Sequence, residues 1–155
     1  MNDSNRLQPH LIDLALARRL RDGGVVWTPA WHDFFAIPDS NLDERVFVLS
    51  DMAIDVQIRQ GWPALTFNGA VEWSLDYVMQ ADVVWLPTES QLRHMLQVRL
   101  AGEEQPAVTL ICQPDVFVCA IQYQGRSCTF SAVEAADAYG MALLYLLRQE
   151  QEDAV

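Results

Sequence analysis

The sequence predicts an α+β fold, an antiparallel sheet or sheets covered by about four helices. Short β-rich runs follow one another through tight turns, which implies antiparallel pairing, and amphipathic helical stretches must then cover a sheet face. The expected order along the chain is αββββαα and then βββα. With 155 residues, 51% of them hydrophobic, the chain fits one domain spanning 1–155 that buries roughly 70% of its unfolded surface. Polar ends at about 1–9 and 149–155 are expected to fray. A break in substructure is expected at 102–106, where Gly102-Glu103-Glu104-Gln105-Pro106 forms a loop.

The first helix is expected over Leu11–Leu20, with Leu11, Ile12, Ala15, Leu16 and Leu20 on one broad stripe. Asp22-Gly23-Gly24 should end it, since glycine tolerates the left-handed conformation of a C-cap. VVWT and FFAI are two short β-rich runs, broken by Pro29 and Pro38. VFVL at 46–49 reads as a strand buried on both faces. Ile54, Val56 and Ile58 alternate with Asp55, Gln57 and Arg59, the period of two of a half-solvated strand. Gln60-Gly61-Trp62-Pro63 supplies the turn and ALTF the return strand.

Asn68-Gly69 opens a short helix over roughly 70–80, with Val71, Leu75, Val78 and Met79 on one stripe and Trp73 and Tyr77 paired beside it. VVWLP follows as a strand. Thr88 with Gln91 is a capping box, and Leu92, Met95, Leu96 and Leu100 continue at helical spacing. Three alternating strands lie near 107–112, 116–123 and 126–130, turning at Pro114-Asp115 and Gln124-Gly125. Ser131 with Glu134 reads as a second capping box. It starts a final helix that ends near Arg148, with Val133, Ala136, Gly140, Leu143, Leu144 and Leu147 as its core stripe.

Charge and composition exclude several chemistries. The net charge of −11 repels a nucleic-acid backbone, whose binding requires clustered cations. The densest basic stretch, RRLR at 18–21, lies on the first helix. All ten basic residues are arginine. A P-loop lysine, a Schiff-base lysine and a lysine general base are therefore impossible, which excludes classical NTPases and pyridoxal enzymes. Cys112, Cys119 and Cys128 form no CxxC. No signal peptide and no run of about 18 apolar residues is legible. The expectation is a cytoplasmic protein with reduced thiols, no membrane partner and no nucleic-acid partner.

The candidate constellations are sparse. His32-Asp33 pairs a base with a carboxylate, but neighbours on a strand point to opposite faces. His10, His32 and His94 lack the i, i+4 spacing of helical metal ligands. Asp39, Asp43, Glu44 and Asp51 do not match a calcium loop. No metal and no cofactor is expected. Glu72 and Asp76 stand i, i+4 on the expected helix. Asp51, at the end of an apolar strand, needs a partner such as Arg45 or Arg59. Cys112 and Cys119 fall on adjacent strands, with nothing nearby to activate them. Apolar residues outside the core stripes give the last signal: Trp62 at a Gly-Trp-Pro turn, Met141 and Tyr145 at i, i+4 on the last helix, and Trp31 behind them.

Trp27-Thr28-Pro29, Phe35-Ala36-Ile37-Pro38, VFVLSDM at 46–52, FNGAVEWSLD at 67–76 and WLPTESQLR at 85–93 resemble a family of small uncharacterised bacterial proteins from high-GC actinobacteria and their neighbours. The resemblance spans roughly residues 11–148. Its motifs are aromatic and turn elements, so it implies kinship without implying chemistry and hands over no functional residues. Some relatives carry a pilus-assembly label. The ATPases behind that label need a P-loop, which a lysine-free chain lacks, so the label is not transferred.

The reading that follows is a non-enzymatic interaction module that contacts a protein partner or a second copy through Trp62, Met141, Tyr145 and Trp31. The rival is a small hydrolase or lyase using Asp51 with His32 or Arg45. A further alternative, from size and charge, is an acidic immunity-like or antitoxin-like binder of a basic protein.

Overall fold

The computed structural model describes residues 10–40, 45–50, 54–67 and 77–155. These divide into two compact units: Met1–Val25 with Pro87–Val155, and Val26–Leu86 between them in the sequence.

The intervening unit carries β1 (Phe34–Ala36), β2 (Val46–Val48), β3 (Ile54–Arg59), β4 (Trp62–Phe67), β5 (Tyr77–Met79) and β6 (Val84–Leu86). They form two three-stranded antiparallel sheets, ordered β2-β1-β6 and β3-β4-β5. Phe35 stands opposite Phe47 in the first sheet and Leu65 opposite Val78 in the second. These four residues join Ile37, Leu49 and Val83 in one buried cluster, so the two sheets share a core. The Phe35 ring lies 5.4 Å from Phe47 and 5.8 Å from Trp27 between centroids, the spacing of favourable aromatic pairs.

Three expectations change here. VVWT forms no strand; only Phe34–Ala36 of the two runs pairs. β2 is not buried on both faces. It lies at a sheet edge, and its pleat sends Phe47 into the core while Val48 stays 40% exposed. The expected helix over 70–80 gives way at its end to β5 and a 3₁₀ turn at Gln80–Asp82. Three residues, Tyr77-Val78-Met79, suit either period, and β4 offers them an edge on which to pair. The rest of that expected helix, with Glu72, Trp73 and Asp76, lies outside the described residues.

The β3–β4 hairpin turns in two residues. Gln60 (φ 54°) and Gly61 (φ 83°) both take positive φ, the signature of a type I′ turn. Trp62 and Pro63 therefore belong to β4, opposite Arg59 and Ile58, rather than to the turn. Proline is tolerated there because β5 stops at Met79, opposite Ala64, and asks no N–H of residue 63.

The other unit holds α1 (Leu14–Asp22), α2 (Glu89–Leu100), β7 (Val108–Cys112), β8 (Phe117–Tyr123), β9 (Arg126–Ala132) and α3 (Ala135–Asp153). Among the described residues there are three α-helices, one fewer than expected. α1 starts after Asp13, whose carboxylate accepts from the Leu16 N–H. Leu11 and Ile12 therefore precede the helix, though both are buried, while Ala17 rather than Ala15 faces inward. Gly24 (φ 107°) closes it, with Val25 N–H bonded to Leu20 O and Gly24 N–H to Arg21 O, the pattern of a Schellman motif. At α2 the capping box forms: Thr88 N–H donates to Gln91 Oε1 and Gln91 N–H to Thr88 Oγ1. Leu92, Leu96 and Leu100 then face inward. The 102–106 loop connects α2 to β7 inside this unit.

β7, β8 and β9 form an antiparallel meander. α3 packs on β8, β9, α1 and α2, so every residue from Ala135 to Gly140 is buried and these first turns are covered all round. Its N-terminus differs from expectation. Ser131 is held in β9 opposite Val118, and Glu134 takes the N-cap position without capping the helix, its carboxylate lying 3.2 Å from His10 Nδ1 instead. Val133 precedes the helix and is 64% exposed rather than part of the core stripe. The helix also continues to Asp153, through much of the end expected to fray.

Where α1 crosses α3, a Cβ on Gly140 would lie 2.9 Å from Leu16 Cδ2 and 3.0 Å from Ile12 Cδ1. Beside that crossing, the buried Asp137 accepts the Asp13 N–H at 2.8 Å and so caps the start of α1 from the first turn of α3.

Candidate interaction surface

The most exposed large apolar groups of the β3–β4 hairpin stand at its tip. Because the turn consumes only Gln60 and Gly61, Trp62 forms the closing pair with Arg59. The pleat then places Trp62 on the face of Ala64 and Thr66, opposite the core-facing Leu65. Ile58 points the other way, in line with Val56, but it lies past the margin of the core. Trp62 and Ile58 are each 68% exposed. The tip therefore offers an apolar group on each of its two faces.

Around Trp62 the same face is polar and aromatic. The Arg59 guanidinium lies 5.9 Å from the centroid of the Tyr77 ring, and one of its nitrogens donates to Gln57 Oε1. This is the geometry of a cation–π contact at an exposed site. Thr66 stays buried beneath, its hydroxyl donating to the Asp55 carbonyl.

Trp31 belongs to the same unit and is 52% exposed. It occupies a tight turn in which Asp33 N–H bonds to Ala30 O and His32 takes a φ of 72°. Asp33 is buried, and its Oδ2 accepts from the Trp27 indole N–H at 2.8 Å and the Ala30 N–H at 2.9 Å. His32 is exposed, and its backbone N–H is spent on Leu49 O. Asp33 thus fixes the turn that presents Trp31.

Met141 and Tyr145 belong to the other unit. Met141 is 38% exposed on α3. Tyr145 is half-buried against the sheet, with ring centroids 6.2 Å from Tyr123 and 5.5 Å from Phe130, and its hydroxyl lies 3.9 Å from the Cys128 thiol. That thiol contact, together with burial, pushes the phenol above its ordinary pKa.

Of the residues named for acid–base chemistry, Asp51 lies outside the described residues. His32 adjoins Leu49 and Arg45 adjoins Val46, at opposite ends of the β2 segment, about 13 Å apart at strand rise. Among the described residues no three His, Cys, Asp or Glu side chains gather as a metal site. All three cysteines are free thiols, and burial pushes Cys119 up to about 11. Among the described residues no helix is long and apolar enough to cross a membrane. Comparison with protein-family models, with curated proteins and with solved structures returns no match in any of the three.

The aromatic character of residue 62 is visible in the sequence, but its exposure is not. Strict alternation places Ile58 on the buried face, so its exposure is hidden from the sequence; only the short reach of the core leaves it in solvent.

Proposed function

We propose that the chain is a non-enzymatic, cytoplasmic protein-interaction module whose contact element is the β3–β4 hairpin tip. The observation that supports this most is the paired exposure of Trp62 and Ile58 on opposite faces of one two-residue turn. A partner that buries both must clasp the tip, so the reading calls for an apolar groove rather than a flat surface. Buried tryptophans are the commonest binding hot spots, with losses on truncation of about 2 kcal/mol or more, roughly a thirtyfold change in affinity. Trp31, fixed by Asp33, is a second anchor on the same unit.

The test uses the tagged protein purified gently from its host and weighed by native mass spectrometry, beside the variants Trp62→Ala and Ile58→Asp. A stoichiometric partner that is lost with both variants, while their circular dichroism and melting stay unchanged, supports the reading. A partner retained by both, or a bare monomer carrying a small molecule, overturns it and returns the search to Asp51, His32 and Arg45.

A further inference from the structure

The β7–β8–β9 meander ends in an unblunted edge. Since the Gln124-Gly125 turn has two residues, with φ of 49° and 73°, Tyr123 and Arg126 close it as a hydrogen-bonded pair. Bonded pairs then recur at every second residue, at Ile121–Cys128, Cys119–Phe130 and Phe117–Ala132. Ser127, Thr129 and Ser131, the residues between, aim their N–H and C=O groups away from β8. All three are exposed, and no strand pairs with this side of β9 among the described residues.

Edges of this kind are usually protected by charge, proline, a bulge or brevity. β9 is seven residues long, pairs without interruption, contains no proline and carries one charge, Arg126, at its first position.

The layout of the edge selects its occupant. Arg126 stands at one end of β9, and Glu134 lies two residues beyond the other. A second copy running antiparallel about Thr129 sets Ser127 opposite Ser131 of the other copy and Thr129 opposite itself. Arg126 then lies beside Ala132 and diagonal to Glu134 of the second copy, a carboxylate that also meets His10 of its own chain at 3.2 Å. A parallel copy would stack Arg126 on Arg126. Thr–Thr and Ser–Ser cross-strand pairs are favourable, and like charges directly opposite are not.

We propose that two copies of this chain associate by antiparallel β9–β9 pairing about a two-fold axis at Thr129, joining two three-stranded sheets into one. This interface is independent of the hairpin tip and stands or falls separately from it.

Analytical ultracentrifugation from micromolar to millimolar concentration, with amide hydrogen exchange at both ends of that range, tests the proposal. The expected result for the native chain is a mass rising from monomer toward dimer. Exchange at Ser127, Thr129 and Ser131 should slow with concentration, while Cys128 and Phe130, already bonded to β8, stay constant. Thr129→Pro removes an outward N–H without touching the β8 ladder, and Thr129→Lys sets two like charges on the axis. Each should weaken the dimer at least about tenfold, the loss of roughly one bonded pair. Trp62→Ala should leave it unchanged. A native chain that stays monomeric, protection that appears elsewhere, a Thr129→Lys variant that dimerises normally, or a dimer lost with Trp62→Ala would each overturn the proposal. If Thr129→Pro does not fold, Thr129→Lys and the exchange pattern of the native chain still decide it.

Discussion

Asp33 offers the sharpest test of how the aromatic entrance of the intervening unit is built. Its buried carboxylate accepts from the Trp27 indole and the Ala30 amide, and its turn presents Trp31. Hydrogen bonds to a charged group contribute about 1.5–3 kcal/mol each, and orphaned buried donors add to the loss. Trp27 is only half-buried, so water can recover part of one bond. Asp33→Ala should therefore cost about 3 kcal/mol, whereas Asp33→Asn, which keeps an acceptor oxygen, should cost about 1 kcal/mol. With a urea slope of about 1–3 kcal/mol/M, the alanine variant should unfold at a midpoint lower by about 1–3 M, read by tryptophan fluorescence. His32→Gly supplies the contrast. At a φ of 72° glycine is at ease, so this change should be neutral or stabilising by about 0.5 kcal/mol. The reasoning fails if Asp33→Ala is as stable as the native chain, or if removing His32 costs as much as removing Asp33. Equal costs would mean that the pair works as a unit and would revive its reading as a base with its orienting carboxylate.

Other outcomes follow from the second unit. Gly140→Ala gains helix propensity of about 1 kcal/mol but drives a methyl against Leu16 and Ile12, an overpacking cost of about 1–3 kcal/mol. A lowered melting temperature is expected, and a raised one would show that α1 yields freely. Tyr145→Ala should destabilise by about 2 kcal/mol through lost packing on Phe130 and Tyr123, without changing association. Tyr145→Phe should be close to native in chemical denaturation. Cys119, pushed by burial from 9.0 to about 11, stays a thiol in the fold while the unfolded chain ionises. Stability should therefore be full below pH 9 and fall as pH rises toward 11, and Cys119→Ala should flatten that fall in melts across the range. Iodoacetamide at pH 8 should label exposed Cys112 well before buried Cys119.

The sequence is most legible where one short-range rule acts alone. Thr88 and Gln91 are capped as expected, because a capping box needs only residues three apart. The β7–β8–β9 meander is legible because alternation and turn residues agree. Gln-Gly makes the tight turn of both long hairpins, yet the sequence suggests four residues for the first because Pro63 looks like turn chemistry. Only the point where β5 stops shows why proline fits in a central strand. Ser131 with Glu134 fits the capping pattern equally well, but pairing with Val118 claims Ser131 for the sheet, a long-range choice that a local motif does not encode. The all-round burial of the first turns of α3 is hidden for the same reason, since the helix is covered by four other elements. The division into Met1–Val25 with Pro87–Val155 and Val26–Leu86 is likewise set by contacts distant in sequence. For the candidate surface, Trp62 and Trp31 could be nominated by residue type. Asp33 as a structural staple and Ile58 as a solvent-facing group required the backbone.

The split of one unit around the other has a consequence for how the chain is made. Asp13 meets Asp137 across 124 residues, so α1 leaves the ribosome long before the helix that covers it. At an elongation rate of about 5–20 residues per second, Leu16 and Leu20 wait roughly 6–25 s for α3. The β-rich segment 26–86 is synthesised in full during that interval. α1 thus waits for its α3 contacts until the end of this region is made, and a nascent chain stalled near residue 100 would hold an unpartnered amphipathic helix for a chaperone to bind.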